Sequence, residues 1–351
     1  MRELFEATIE RLLADESSSA AVLASEGGIW PAALWDAVDA SGFSLAGAPE
    51  ASGGAEAGWA DLYVIARAVG RFAAPVPLSE ALLANWLLGQ AGSEARSGSL
   101  SIAAESDLTV LDGAVSGVLR DVPWGRHVQA VLAIANAASG EPLLVVLSGS
   151  SAVRIDPRLN VAGEPRDEMF FAQATVLHSV PLPPHLPADV LRLGGALIRC
   201  GQIAGALGTL LEMTAEYAGQ RQQFGKPIGS FQAIQQQLAV FAEQAGAANS
   251  AAEAAFAQSD QVLAWLPIAV AKVTCAEAAT QCANIAHAVH GAIGFTQEYR
   301  LHLFSRRLWA WRAEYGSATR WSQQIGERVC AVGGDGLWSL LTQDCHSGVP
   351  A

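Results

Sequence analysis

Along the first part of the chain, from Met1 to about Gly92, apolar residues such as Leu4, Ile9, Leu12 and Leu13 recur at steps of three and four. That spacing predicts amphipathic helices. The Gly- and Ala-rich segment from Gly47 to Gly58 reads as a loop before a helix beginning near Trp59, and Pro75 and Pro77 mark a second break. From about Gly98 to Pro187 the period changes. Short β-branched runs such as AVLAIA and LLVVLS alternate with turn material such as DGAVSG and ASGEP, as in a small β domain. Beyond Pro187 the pattern is helical again, long and Ala-rich. Phe231, Ile234, Leu238, Phe241 and Ala245 form one apolar stripe suited to bundle packing, with Ser230 as the expected N-cap.

The order helices, strands, helices predicts an α+β protein in three parts. The boundaries fall at 1–95 for an N-terminal helical domain, 96–187 for the middle β domain and 188–345 for a C-terminal helical bundle, with a tail at 346–351.

Composition then narrows the classes. The chain has 351 residues, enough for two or three packed domains. Gly, Ser, Gln and Arg interrupt each apolar stretch before it reaches the roughly 18 residues of a membrane span, so no span is expected. The acidic, amphipathic N-terminus does not read as a secretion signal. Five cysteines, Cys200, Cys275, Cys282, Cys330 and Cys345, show no CxxC pairing, which predicts neither a disulfide framework nor a zinc site and fits a cytoplasmic location. A formal net charge of −13 argues against nucleic acid as a partner.

Three segments carry a family resemblance. YAGQRQQFGKPIGSFQAIQQQLA, from Tyr217 to Ala239, resembles the acyl-CoA dehydrogenase signature of a helix ending in an R-x-x-F-G-K turn. VHGAIGFTQEYRL, from Val289 to Leu301, resembles the family's H-G-G-I-G-F-T-x-E motif. The stretch from Leu34 to Glu80 resembles the N-terminal helical domain, with its P-E-x-x-G-G loop and G-R-x-x-x-P-x-P exit. Together they cover nearly the whole chain. They imply an acyl-CoA dehydrogenase-like fold whose last part is a four-helix bundle.

What the resemblance implies about function is concrete. The family oxidises acyl-CoA thioesters between the α and β carbons, with a carboxylate base taking the α proton and FAD accepting a hydride, and it passes the electrons to an electron-transfer acceptor. Arg221, Phe224, Gln232, Gly291, Ala292, Trp124 and Ser317 match positions that contact the flavin, and the first of these commonly reach the flavin of a neighbouring subunit. The base is expected in WRAEYGSATRW. Counting from Phe295 puts Tyr315 at the usual Glu position and Glu314 one residue earlier, so either a one-residue shift makes Glu314 the base or the base is absent. A carboxylate paired with Arg312 or Arg320 is the alternative role for Glu314. The helix segment LRLGGALIRCGQIAGALG, where some relatives keep their base, has no acid.

Other positions depart from the family. The T-E-P-x-x-G-S-D loop around the flavin is reduced to Glu105, Ser106 and Asp107 within SIAAESDLTVLDG; Ala288 stands where a Gln is usual, and Ala292 replaces a Gly. Two functions remain open on these residues. One is a flavoprotein oxidising an acyl-CoA in fatty acid or steroid metabolism, as a homo- or hetero-oligomer. The other is a non-catalytic partner subunit that lends flavin-binding residues to a complete acyl-CoA dehydrogenase chain. His287, His290 and His302 lack the carboxylate spacing of a metal site. There is no G-x-S-x-G elbow for serine hydrolysis. Trp309 and Trp311 with Arg306, Arg307, Arg312 and Arg320 form a basic aromatic cluster expected at a subunit interface or near CoA phosphates.

Overall fold

A computed structural model describes residues 1–260 and 262–342. The tail at 346–351 and Cys345 lie outside the described residues. The N-terminal part is five helices: α1 (Arg2–Glu16), α2 (Ser19–Glu26), α3 (Ala32–Ala40), α4 (Trp59–Arg71) and α5 (Leu78–Gln90). Each starts where the sequence supplies a stop for the one before. Ser18 caps α2 through its hydroxyl, which accepts from the Ala21 N–H at 3.2 Å, and α4 ends at Arg71 just ahead of the Pro75 and Pro77 break.

Seven strands follow: β1 (Leu100–Ala103), β2 (Glu105–Leu111), β3 (Ala114–Pro123), β4 (Ala130–Ala137), β5 (Pro142–Ser148), β6 (Arg154–Asp156) and β7 (Arg166–Pro181). The order β1-β4-β2-β3-β7-β5 closes on itself because β4 also pairs with β5, which leaves few unpaired edges. The inward-facing residues, among them Val115, Leu119, Val131, Val145, Leu147 and Met169, form a core separate from the helical one.

The C-terminal part begins with α6 (Val190–Gln220), a short hairpin of β8 (Gln222–Gln223) and β9 (Lys226–Pro227), α7 (Gln232–Gln258) and α8 (Trp265–His290). It ends with α9 (Leu301–Trp311) and α10 (Ala318–Thr342). By length and composition α6 alone among the described helices is apolar enough to cross a membrane, but it is almost wholly buried at the centre of the bundle. Ser230 is not the cap of α7. The helix starts two residues later, and the Ser230 hydroxyl instead donates to the Pro227 carbonyl at 2.7 Å inside a single 3-10 turn.

Two glycines decide how the N-terminal helices meet the bundle. A Cβ on Gly70 of α4 would lie 1.9 Å from the Gln202 carbonyl oxygen, and one on Gly205 of α6 would lie 1.9 Å from that of Arg67. The two backbones therefore touch, which only residues without a side chain permit.

Candidate functional site

The residues expected to do chemistry fall into two groups that the fold keeps apart. The first is built around Glu314, in the turn between α9 and α10. Its Oε1 accepts from Asn160 Nδ2 and Arg166 Nε, both at 2.9 Å; its Oε2 accepts from Arg166 Nη2 at 3.1 Å and Arg199 Nε at 2.7 Å. Neither arginine is free to leave. Arg199, in the middle of α6, is 1 % exposed and also reaches Glu80 of α5 at 2.7 Å. Arg166, at the start of β7, is bonded to Glu164 at 2.9 Å.

From Glu164 the chain of charges continues through Arg307 of α9, at 3.2 Å, to Glu26 of α2, at 2.8 Å, with Arg306 completing it. Four carboxylates and four guanidiniums drawn from all three parts of the molecule thus form one network, largely buried and reaching the surface at Arg306. Burial by itself pushes the Glu314 carboxyl up, but the facing Arg166 and Arg199 more than offset it and hold the group well below the usual carboxylate range. A general base needs a lone pair free to take a proton and a pKa near that of its substrate. All four of these lone-pair sites are occupied, and the pKa moves the other way.

The partners differ from those expected. Glu314 pairs with neither Arg312 nor Arg320: Arg312 donates to the Thr280 hydroxyl at 2.6 Å, and Arg320 is exposed. The Arg and Trp cluster does not form one patch either. Arg306 and Arg307 are tied to Glu26, and Trp311 is buried with its Nε1 donating to Glu164 at 2.9 Å, while Trp309 remains partly exposed. Arg307 and Trp311, one turn apart on α9, both meet Glu164, while Trp309 faces outward and Arg312 and Arg320 lie beyond the helix.

Tyr315 follows in a left-handed conformation, φ 57°, that costs a bulky residue energy and is held by its surroundings. Its ring fills the notch left by Gly195 of α6, where a Cβ would come within 2.4 Å of the ring. The buried hydroxyl has no hydrogen-bond partner, and burial pushes its pKa up. Lys272, fully buried on α8, fixes the start of this turn by donating to the Trp311 and Arg312 carbonyls at 2.8 and 2.9 Å. Burial pushes its pKa down to about 8.

The second group lies at one end of the bundle. Tyr217, in the last turn of α6, stacks on His290, the last residue of α8, with ring centroids 4.5 Å apart. That contact sets the end of α6 beside the end of α8; Arg221 and Phe224 follow the first, Gly291 and Ala292 the second. Phe224 and Gly225 form the two-residue tip of the β8–β9 hairpin, both with positive φ, and Phe224 is 91 % exposed. A fully exposed aromatic in a strained turn is not a folding requirement. Arg221, Lys226 and Gln232 also face solvent, and among the described residues Arg221 and Gln232 have no side-chain bond. Gly291 closes α8 with φ 62° and ψ −139°, a conformation open to glycine, and nothing lies near the position of its absent Cβ.

The remaining expected contacts are elsewhere. Trp124 is 5 % exposed in the core of the β domain, edge-on to Trp30 at 6.1 Å. Ser317 caps α10, its hydroxyl accepting from the Arg320 N–H at 3.3 Å. The stretch matching the flavin loop is no loop. Only Ala104 separates β1 from β2, and Glu105, Ser106 and Asp107 are paired in register with Arg120, Leu119 and Val118 of β3.

These placements divide the flavin contacts that the resemblance implies. The bundle end fits an anionic dinucleotide: exposed Arg221 and Lys226, the Gln232 amide and an open glycine backbone are the donor set a diphosphate needs. The side that would hold the flavin ring does not fit. Trp124 is in a core, the stretch matching the flavin loop is a paired strand, and Glu314 is saturated.

Residues 2–97 match the acyl-CoA dehydrogenase N-terminal domain and residues 194–330 the acyl-CoA dehydrogenase C-terminal domain. The chain belongs to the acyl-CoA dehydrogenase family, a family of oxidoreductases. It is 27 % identical over 316 residues to the acyl-CoA dehydrogenase IpdE2 of Mycobacterium tuberculosis, covering 87 % of this chain and 90 % of that protein. Among solved structures it is similar to the ChsE4–ChsE5 complex of M. tuberculosis (TM-score 0.83, 20 % identity, 95 % and 98 % of the two chains). It is also similar to the Tcur3481–Tcur3483 steroid acyl-CoA dehydrogenase G363A variant (TM-score 0.81, 21 % identity, 94 % and 97 %).

Sequence reasoning missed Glu80, Arg166, Arg199 and Lys272. Glu80, Arg199 and Lys272 each sit inside a largely apolar stretch, as Arg199 does in GGALIRCGQ, and a charge in such a place must find a buried partner; Arg166, in the charged run EPRDE, carries no such mark. That was the available signal; it does not say which partner.

Proposed function

We propose that this chain is the non-catalytic subunit of a hetero-oligomeric acyl-CoA dehydrogenase, lending the bundle-end half of a flavin site to a complete partner chain that oxidises the acyl-CoA thioester. The observation that carries this reading is the saturation of Glu314 by four donors from Asn160, Arg166 and Arg199. FAD would supply the hydride acceptor and the partner chain the base. This chain's Arg221 and Gln232 would bind the dinucleotide, with Phe224 and Gly291 shaping the surface against which it lies. Support comes also from the likeness to structures described as a ChsE4–ChsE5 complex and a Tcur3481–Tcur3483 steroid enzyme, each naming two chains, and a steroid-type acyl group is the substrate class we propose. The electrons would leave through an electron-transfer acceptor docked on the assembly.

The test is the visible flavin spectrum of the protein purified alone and then together with a co-encoded homologue. Colour only in the mixed assembly is the expected result. Stoichiometric flavin and dye reduction by the lone chain would return Glu314 to the role of base and sink the proposal.

A further inference from the structure

Around the Glu314 carboxylate, Asn160, Arg166 and Arg199 come from a loop, the start of β7 and the middle of α6, so the donors are positioned independently of the turn that carries the acid. Arg166 and Arg199 are 8 % and 1 % exposed, and each keeps a second carboxylate, Glu164 and Glu80. Without Glu314, Arg166 would keep only Glu164, which Arg307 shares, and Arg199 only Glu80. The turn is held from its other side by Lys272 on the Trp311 and Arg312 carbonyls.

We propose that Asn160, Arg166 and Arg199 form a preorganised receptor for a free carboxylate, and that Glu314 occupies it as an internal ligand. The ligand class follows from the donors. A bidentate guanidinium, a second guanidinium and an amide N–H select a planar anion with two oxygens over a halide or a neutral molecule. Truncation of Glu314 to alanine removes the atoms of one acetate, so acetate is the probe that fits. The inference rests on the reading of Glu314 as structural rather than catalytic, and the two fail separately, since flavin content does not report on the receptor.

Glu314→Ala protein is melted in acetate, formate, chloride and acetamide at matched concentration and ionic strength near neutral pH. The expected result is a melting temperature raised by several degrees in acetate and less in formate, unchanged in acetamide, with wild type insensitive to all four. Binding of a ligand to the folded state alone produces such a shift. Equal melting in acetate, chloride and acetamide overturns the receptor. If Glu314→Ala is not recovered in chloride, Glu314→Ser, whose hydroxyl takes the place of the lost Cγ and leaves room for formate, is prepared in formate and in chloride. Recovery in formate alone supports the proposal; failure in both overturns it.

Discussion

Replacing Glu314 by glutamine separates a base from a keystone. The amide keeps the shape of the side chain but loses its charge, and turns an NH2 group toward guanidiniums that can only donate. Arg166 and Arg199 then keep Glu164 and Glu80 but lose the carboxylate they share. Breaking one side of a buried ion pair costs about 3–5 kcal/mol. With an unfolding entropy of about 2.1 cal/mol/K per residue, that lowers the melting temperature of this 351-residue chain by roughly 4–7 °C. The assay is thermal unfolding followed by circular dichroism across pH. Because the folded-state pKa of Glu314 is depressed, its contribution is fully present above the unfolded carboxyl value of about 4.3 and is lost as pH falls below it. The wild-type advantage over Glu314→Gln should therefore shrink in acid. A Glu314→Gln protein that melts at or above wild type at neutral pH would refute the reasoning, because a desolvated catalytic acid costs stability whereas a keystone supplies it.

Three further outcomes follow from other parts of the structure. Lys272 has a folded pKa of about 8, below its unfolded value, so the folded state binds fewer protons between about pH 8 and 10.4. Relative to Lys272→Met, wild type should gain up to about 3 kcal/mol across that window in urea titrations, and a flat difference would disprove the shift. Gly205→Ala forces a methyl group onto the Arg67 carbonyl and should cost about 1–3 kcal/mol or more, read as a lower urea midpoint; an unchanged midpoint would mean that α4 and α6 do not touch there. Arg221→Ala removes an exposed side chain without a partner, so the chain's own stability should stay within about 0.5 kcal/mol of wild type while flavin retention by the mixed assembly falls on dialysis. Full retention would remove Arg221 from the dinucleotide site.

Much of the bundle-end turn was legible in the sequence because its parts are local. Arg221, Phe224 and Gly225 lie within one helix end and one two-residue turn, where chain geometry follows from neighbouring residues. The same holds for the order helices, strands, helices, which hydrophobic period alone displays. Ser317 and Trp124 were local matches too, yet their surroundings made one a helix cap and the other a core residue.

What the sequence by itself determined is the family, the three-part architecture and the exposed cationic turn at the bundle end, all carried by short-range pattern. Only the tertiary structure decided what Glu314 is. Its partners Arg199 and Arg166 lie 115 and 148 residues away, and Arg199 in turn depends on Glu80, a further 119 residues from it. A carboxylate's pKa and reactivity are set by the charges and solvent within a few ångströms. Chain folding selects those neighbours, and the pattern of residues around Glu314 in the sequence does not contain them.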